Sequence, residues 1–227
     1  MTRRNGIIVQ RERIFFTPLQ KISWVQHCFT TRQFMEKDMG RIGMCGELKR
    51  RYFPSARAVV WGEQVHGRGV ATIDGAAEMF SEIPRADALV CAKTGICLVA
   101  FAADCPIVYI ADVEKKVIAL VHSGREGSEK RVVTACVEKM AREFGTAPAD
   151  CVVVISPSIG PCSYPVDLWR SIEEECCAVG IGSLMNAKMC TACQPDLFFS
   201  YRRERDRCGR MLAAMMITTA ENLKMKA

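Results

Sequence analysis

Polar residues nearly vanish from the chain between Ile96 and His122, apart from two breaks. Ile96–Ala102, Ile107–Ala111 and Val117–His122 are continuous apolar runs, too short for typical helices and rich in β-branched residues, so they read as strands buried on both faces. The first break is Asp104-Cys105-Pro106, where proline cannot continue a central ladder. The second is Asp112-Val113-Glu114-Lys115-Lys116, a charged turn joining the last two runs as a hairpin. Gly6–Gln10, Ala58–Gln64, Val70–Ile73, Ala86–Cys91 and Cys151–Ile155 are further strand candidates.

The periodicity changes beyond the hairpin. From Ser128 to Phe144, Val132, Val133, Cys136, Val137, Met140 and Phe144 recur on one helical face, with Ser128 as the expected N-cap and Gly145 as the stop. Asp167 is expected to cap a second helix running to Val179, before Gly180. The Met- and Ala-rich tail, Gly209–Met225, also reads as a helix, its methionines as core. Strands mixed with helices, and hairpin-linked at the centre, predict an α/β fold other than a purely parallel doubly wound sheet. No repeat, low-complexity tract or linker divides the 227 residues, so one domain over 1–227 is expected.

Composition narrows the function classes. Apolar residues make up 49%, without an uninterrupted run long enough to span a bilayer, and the N-terminal stretch lacks a signal-peptide core. A cytoplasmic protein with no membrane partner is expected. Thirteen cysteines, an odd number, suit small buried thiols in a reducing compartment better than a disulfide scaffold. The net charge of +6 is mildly basic, but its short clusters lack interleaved aromatics, so no nucleic-acid partner is expected. GxGxxG and Walker A segments are both absent.

Candidate chemistry gathers at strand ends. Cys105 stands where the apolar run breaks, His122 closes the hairpin's second strand, and His66 lies in Gln64-Val65-His66-Gly67. Antiparallel pairing of the hairpin brings Cys105 and His122 together at one end. Two imidazoles and a thiolate make a reasonable zinc set with a fourth position left for water, whose pKa zinc lowers towards about 7. The same trio also reads as a Cys-His nucleophile and base, or as three separate buried residues. Ser123-Gly124-Arg125-Glu126-Gly127 leads into a helix start and could hold an anion such as phosphate, with Arg125 as a charged contact. Tyr164 is a candidate pocket wall. The pair Cys190 and Cys193 lacks the second pair of a zinc ribbon and the following helix of a redox motif, and reads as structural or incidental.

Taken in order, Gln64–Gly67, Ala86–Val90, Ala103–Pro106, Val121–Gly124, Ser156–Tyr164, Cys190-Thr191, Phe198–Arg203 and Gly209-Arg210 resemble the motifs of the YfiH family of laccase-domain proteins, over roughly residue 23 onward. That resemblance implies mixed β-sheets sandwiched by helices and a zinc site at His66, Cys105 and His122, which also carry the chemistry. It implies phosphorolysis of adenosine, inosine and methylthioadenosine, together with adenosine deamination, so that purine nucleoside and phosphate are the expected partners. Arg32, in the FSTR-like Phe29–Arg32, joins Arg125 and Tyr164 as a substrate-binding candidate. Editing of peptidoglycan precursors by the same Cys/His site, and a non-catalytic interaction role, are alternatives. Copper is disfavoured by a total of three histidines. The family's tryptophan after His122 is absent from His122-Ser123-Gly124-Arg125-Glu126-Gly127, Arg125 stands one position early, and residues 33–57 diverge. Oligomeric state is not legible.

Overall fold

The computed structural model describes residues 2–4, 6–34, 39–75 and 78–219. Fourteen strands are described in chain order: β1 (Thr2–Arg4), β2 (Ile7–Val9), β3 (Arg13–Phe16), β4 (Val25–Thr30), β5 (Ala58–Gly62), β6 (Val70–Ile73), β7 (Phe80–Ile83), β8 (Ala88–Cys91), β9 (Ile96–Ala102), β10 (Ile107–Asp112), β11 (Val117–His122), β12 (Cys151–Ile155), β13 (Ser183–Asn186) and β14 (Met211–Ile217). The helices are α1 (Thr17–Gln20), α2 (Gly40–Tyr52), α3 (Arg125–Glu129), α4 (Val132–Phe144), α5 (Leu168–Ala178) and α6 (Tyr201–Glu204). One sheet has the order β1-β2-β3-β4-β14-β9-β5-β7 and the other β13-β12-β10-β11-β8-β6. Both are mixed: β5 runs parallel to β7 and β9, β6 parallel to β8 and β12 parallel to β13, while the remaining pairs are antiparallel.

Alternation along the buried strands builds the layers. In β9, Ile96, Leu98 and Ala100 point into the core between the sheets, with Tyr109 and Ile118 from the second sheet. Cys97, Val99 and Phe101 point the other way, onto Met44, Cys45 and Leu48 of α2. The outer face of the second sheet, including Val108, Ile110 and Val121, is covered by Val133, Cys136, Val137 and Met140 of α4 and by Ile172 and Cys176 of α5. Every central strand is therefore apolar on both faces, as its continuous pattern requires. The result is a four-layer helix–sheet–sheet–helix sandwich, the mixed architecture expected.

Two expectations need correction. The tail is a strand over Met211–Ile217, all seven residues at most 5% exposed. Met and Ala favour helix, but Met211, Ala213 and Met215 enter the core between the sheets while Leu212, Ala214 and Met216 face α2, a period-two arrangement that burial on both sides enforces over propensity. The part of that expected helix beyond residue 219 lies outside the described residues. The helix expected from Ser128 is split. Ser128 lies inside α3, its hydroxyl engaged with Ser123 Oγ at 2.9 Å and Ser123 O at 3.3 Å, and α4 begins after Arg131 in left-handed conformation at φ 56°. Gly145 ends α4 at φ 68°, and the Asp167 side chain caps α5 by accepting from Arg170 N–H, both as expected. Among the described residues no helix is long and apolar enough to cross a membrane.

Candidate metal centre

The hairpin register sets the site. Ile107 pairs with His122, so the Asp104–Pro106 turn lies beside the end of β11. The turn is held on three sides. Asp104, at φ 91°, accepts Thr191 Oγ1–H on Oδ1 at 2.6 Å and the Arg202 N–H on Oδ2 at 2.6 Å, and its carbonyl accepts Ile159 N–H at 2.8 Å. Ser123 N–H donates to Pro106 O at 3.0 Å, closing the turn onto the strand end.

His66 arrives on the loop after β5. Gln64 and His66 have φ of 60° and 58°, so neither continues the strand. The Gln64 amide pairs with both backbone groups of Phe101, each at 2.8 Å, which pins the loop to the end of β9. The ligating atoms of His66, Cys105 and His122 all lie within 4.8 Å of one another. The rings of His66 and His122 meet edge to face at 4.7 Å.

Asp87 organises this trio. Buried at the entry to β8, it accepts His122 Nδ1–H on Oδ1 at 3.0 Å, His66 N–H on the same oxygen at 3.0 Å and Gly67 N–H on Oδ2 at 2.7 Å. An ionised carboxylate only accepts, so the proton of His122 sits on Nδ1 and Nε2 is turned to the site. Gly124 supplies the remaining condition: a Cβ there would lie 2.8 Å from Cys105 Sγ and 3.0 Å from His66 Nδ1.

Electrostatics polarise the group towards a thiolate with imidazolium partners. Burial pushes the Cys105 thiol up, but hydrogen bonds from His122 and His66 outweigh it and bring it down to about 6. Burial lowers His122, yet Asp87 and Cys105 raise it to about 9. His66 is raised, first by its hydrogen bond to Cys105. Burial raises Asp87, and the hydrogen bonds from His122, Gly67 and His66 turn the balance downward. A cation would take the place of those protons, and two imidazole nitrogens with one thiolate offer a borderline-soft donor set that leaves a fourth position to another ligand. This set fits zinc.

The trio opens into a cleft of about 440 Å³, within the usual range for small-molecule sites. Its wall includes Arg41, Gln64, Phe101, Tyr201 and Arg210. Arg41 stacks over Phe101 at 5.2 Å while its guanidinium holds Glu63 O and Glu82. Gln64, Tyr201 and Arg210 lie within the quoted motifs but were given no role there, and Arg41 and Phe101 lie in none of them. Apart from Gln64, they come from α2, β9, α6 and the approach to β14, and only the fold assembles them.

The other candidates fall elsewhere. Arg32 is bound to Pro195 O at 2.7 Å and Glu204 at 3.2 Å, and stacks on Phe199 at 4.7 Å, tying down the 195–204 segment. Arg125 is exposed on α3 and pairs with Glu129 at 2.9 Å. Tyr164 lies under the Arg202 guanidinium at 5.9 Å. None of the three lines this cleft. The third histidine, His27, is buried, with Nε2 accepting Phe16 N–H at 2.9 Å.

Comparison with known proteins places this geometry in context. The family described as multi-copper polyphenol oxidoreductase laccase matches residues 46–167 and 164–218. Purine nucleoside phosphorylase ORF3 of Streptomyces griseus is 32% identical over 173 residues, 65% of this chain and 70% of the relative. Purine nucleoside phosphorylase YlmD of Geobacillus stearothermophilus is 29% identical over 199 residues, 71% of this chain and 72% of the relative. The crystal structure of YlmD from that organism superposes with a TM-score of 0.84 at 21% identity, covering 95% of this chain and 100% of that one. YfiH of Bacillus licheniformis gives 0.83 at 20% identity with the same coverage.

Proposed function

The chain belongs to the multi-copper polyphenol oxidoreductase laccase family, and from that premise we propose that it is a zinc-dependent purine nucleoside phosphorylase that also deaminates adenosine. The observation that carries this reading is one cleft joining a two-imidazole, one-thiolate donor set to two arginines and two aromatic rings. The phosphorylase names of the relatives support the same reading. Multicopper chemistry is disfavoured, because His27 is spent on the Phe16 backbone and only two imidazoles remain for metal.

In phosphorolysis a phosphate oxygen bonds to C1′ of the ribose as the bond to the purine nitrogen breaks. Free base and ribose 1-phosphate result. Arg41 and Arg210 supply positive charge at the cleft wall for phosphate, and the exposed ring of Tyr201 supplies flat apolar surface for the base. His66, Cys105 and His122 would hold the metal, and Asp87 fixes the His122 tautomer. Zinc, when bound, supplies Lewis acidity and a water nucleophile near neutral pH, which suits replacement of the adenosine amino group. Phosphate-dependent release of hypoxanthine from inosine by the zinc-loaded chain is the expected result. Zinc-loaded protein that leaves inosine and adenosine intact with phosphate present overturns the proposal. Arg210→Ala is expected to raise the KM for phosphate more than that for nucleoside.

A further inference from the structure

Three thiols converge from the two segments that hydrogen-bond to Asp104 through Ile159 and Thr191. Cys162 comes from the turn after β12, Cys190 and Cys193 from the loop after β13, and their Sγ atoms lie within 4.8 Å of one another. Cys162 Sγ is 3.5 Å from Cys193 Sγ. Ser163 Oγ lies 3.3 Å from the sulfur of Cys193, 3.6 Å from that of Cys190 and 3.7 Å from that of Cys162. Zinc–sulfur bonds of about 2.3 Å at tetrahedral angles put neighbouring sulfurs about 3.8 Å apart and an oxygen ligand about 3.5 Å from each sulfur. The hydroxyl's distances to the three sulfurs and the Cys162–Cys193 separation match those of such a tetrahedron. Among the described residues only this group and His66–Cys105–His122 bring three such ligands together.

The surroundings favour thiolate. Gly160 N–H donates to Cys190 Sγ at 3.3 Å. Burial pushes the Cys190 thiol up, but the Gly160 amide and the Ser163 hydroxyl outweigh it and bring it to about 7. The Ser163 hydroxyl lowers Cys162, yet neighbouring Cys190 and Cys193 raise it, since a second thiolate beside the first is opposed. A cation removes that opposition, and the thiol protons leave to solvent as it binds. Three sulfurs select a thiophilic ion over magnesium or calcium.

We propose that Cys162, Cys190 and Cys193, with Ser163 Oγ or a water in the fourth position, form a second metal site for a thiophilic divalent cation, zinc foremost. Its role is structural. Ser158 N–H bonds to Met189 O at 3.1 Å and Thr191 N–H to Ser158 O at 3.1 Å, so the two thiol-bearing segments already touch. The same segments supply Ile159 N–H and Thr191 Oγ1–H to Asp104, the residue before Cys105. An ion joining them braces the turn that presents Cys105 to the cleft.

The test uses the full chain, reduced and stripped with chelator. Added Zn²⁺ is expected to protect Cys162 and Cys193 from alkylation, read by peptide mass. C190S and C162S/C193S are each expected to bind one zinc fewer than the wild type. Co²⁺ is expected to give a thiolate charge-transfer band that survives in C105S and disappears in C162S/C193S. Failure of the His66–Cys105–His122 centre to bind would remove only the zinc sensitive to C105S, so the two readings fail separately. Alkylation unaffected by zinc, or equal zinc uptake by wild type and C162S/C193S, overturns the proposal. So does a reduced chain that takes up no zinc at these thiols while air forms a Cys162–Cys193 disulfide, which makes the cluster a redox pair.

Discussion

Replacing Asp87 by asparagine separates the orienting carboxylate from the residues it orients. Asp87 is 3% exposed and accepts three hydrogen bonds, from His122 Nδ1, His66 N and Gly67 N. Asparagine has almost the same volume but only one accepting oxygen. Whichever way the amide turns, its NH₂ faces at least one N–H donor. Leaving one such buried donor unpaired costs about 1–3 kcal/mol. For a chain of this size that lowers Tm by about 2–12 °C, at about 2–4 °C per kcal/mol. Loss of the carboxylate also removes the partner that fixes His122 and raises it to about 9. Zinc affinity is then expected to fall about 10–100-fold. Competition against a chromophoric chelator near neutral pH, with a melting curve on each sample, reads both effects. Folded D87N that binds zinc as tightly as the wild type would refute the reasoning, because His122 would then need no orienting partner.

Other expectations follow from particular contacts. G124A places a methyl 2.8 Å from Cys105 Sγ, while φ of −69° at that position suits alanine, so the effect is steric; zinc affinity is expected to drop about tenfold or more (about 1.4 kcal/mol) with the fold retained by circular dichroism, and unchanged affinity would contradict the packing. In C162S/C193S, zinc uptake at pH 7 is expected to release about one proton from His122, raised to about 9, and little from Cys105, brought down to about 6; calorimetry in buffers of different ionisation enthalpy counts them. Affinity therefore rises about tenfold per pH unit towards pH 9 and falls more steeply below pH 6, where Cys105 also takes a proton. Burial lowers His27 from 6.5 to about 3, so the unfolded chain binds the extra proton between those values. Its contribution is complete above pH 6.5 and is lost as pH falls, by about 3 kcal/mol at pH 4.5. H27Q keeps an acceptor for Phe16 N–H and is expected to flatten that part of the stability curve; parallel curves would rule the assignment out.

The hairpin between Ile107 and His122 was legible because two long apolar runs flank a charged turn, and its closure brought Cys105 to His122 as read. The 33–57 segment hid α2, since Gly43, Gly46 and five charged residues mask the three positions, Met44, Cys45 and Leu48, that face the sheet. β14 was misread because a strand buried on both faces loses its polar alternation, and its Met and Ala then mimic a helix. At the site, the three candidate residues His66, Cys105 and His122 were legible from strand ends and glycines. Asp87 carried a signal that reading passed over, a charge at the head of an apolar run, whose cost in a buried strand calls for partners. Tyr201 and Arg210 lay in quoted motifs without a role, and Arg41 and Phe101 carried no signal, because their meeting at the cleft depends on which strands neighbour one another.

The place of β14 bears on the order in which the protein can be made. It is the last described strand in the chain, yet it lies between β4 and β9 in the middle of the eight-stranded sheet. Until it leaves the ribosome, β4 and β9 each keep a bare edge, and β1–β4 have no route of sheet pairing to β9, β5 and β7. Such edges recruit other chains. A nascent chain of this topology holds two half-sheets apart through most of synthesis and joins them with a single closing insertion, which makes chaperone demand during translation a property of strand order.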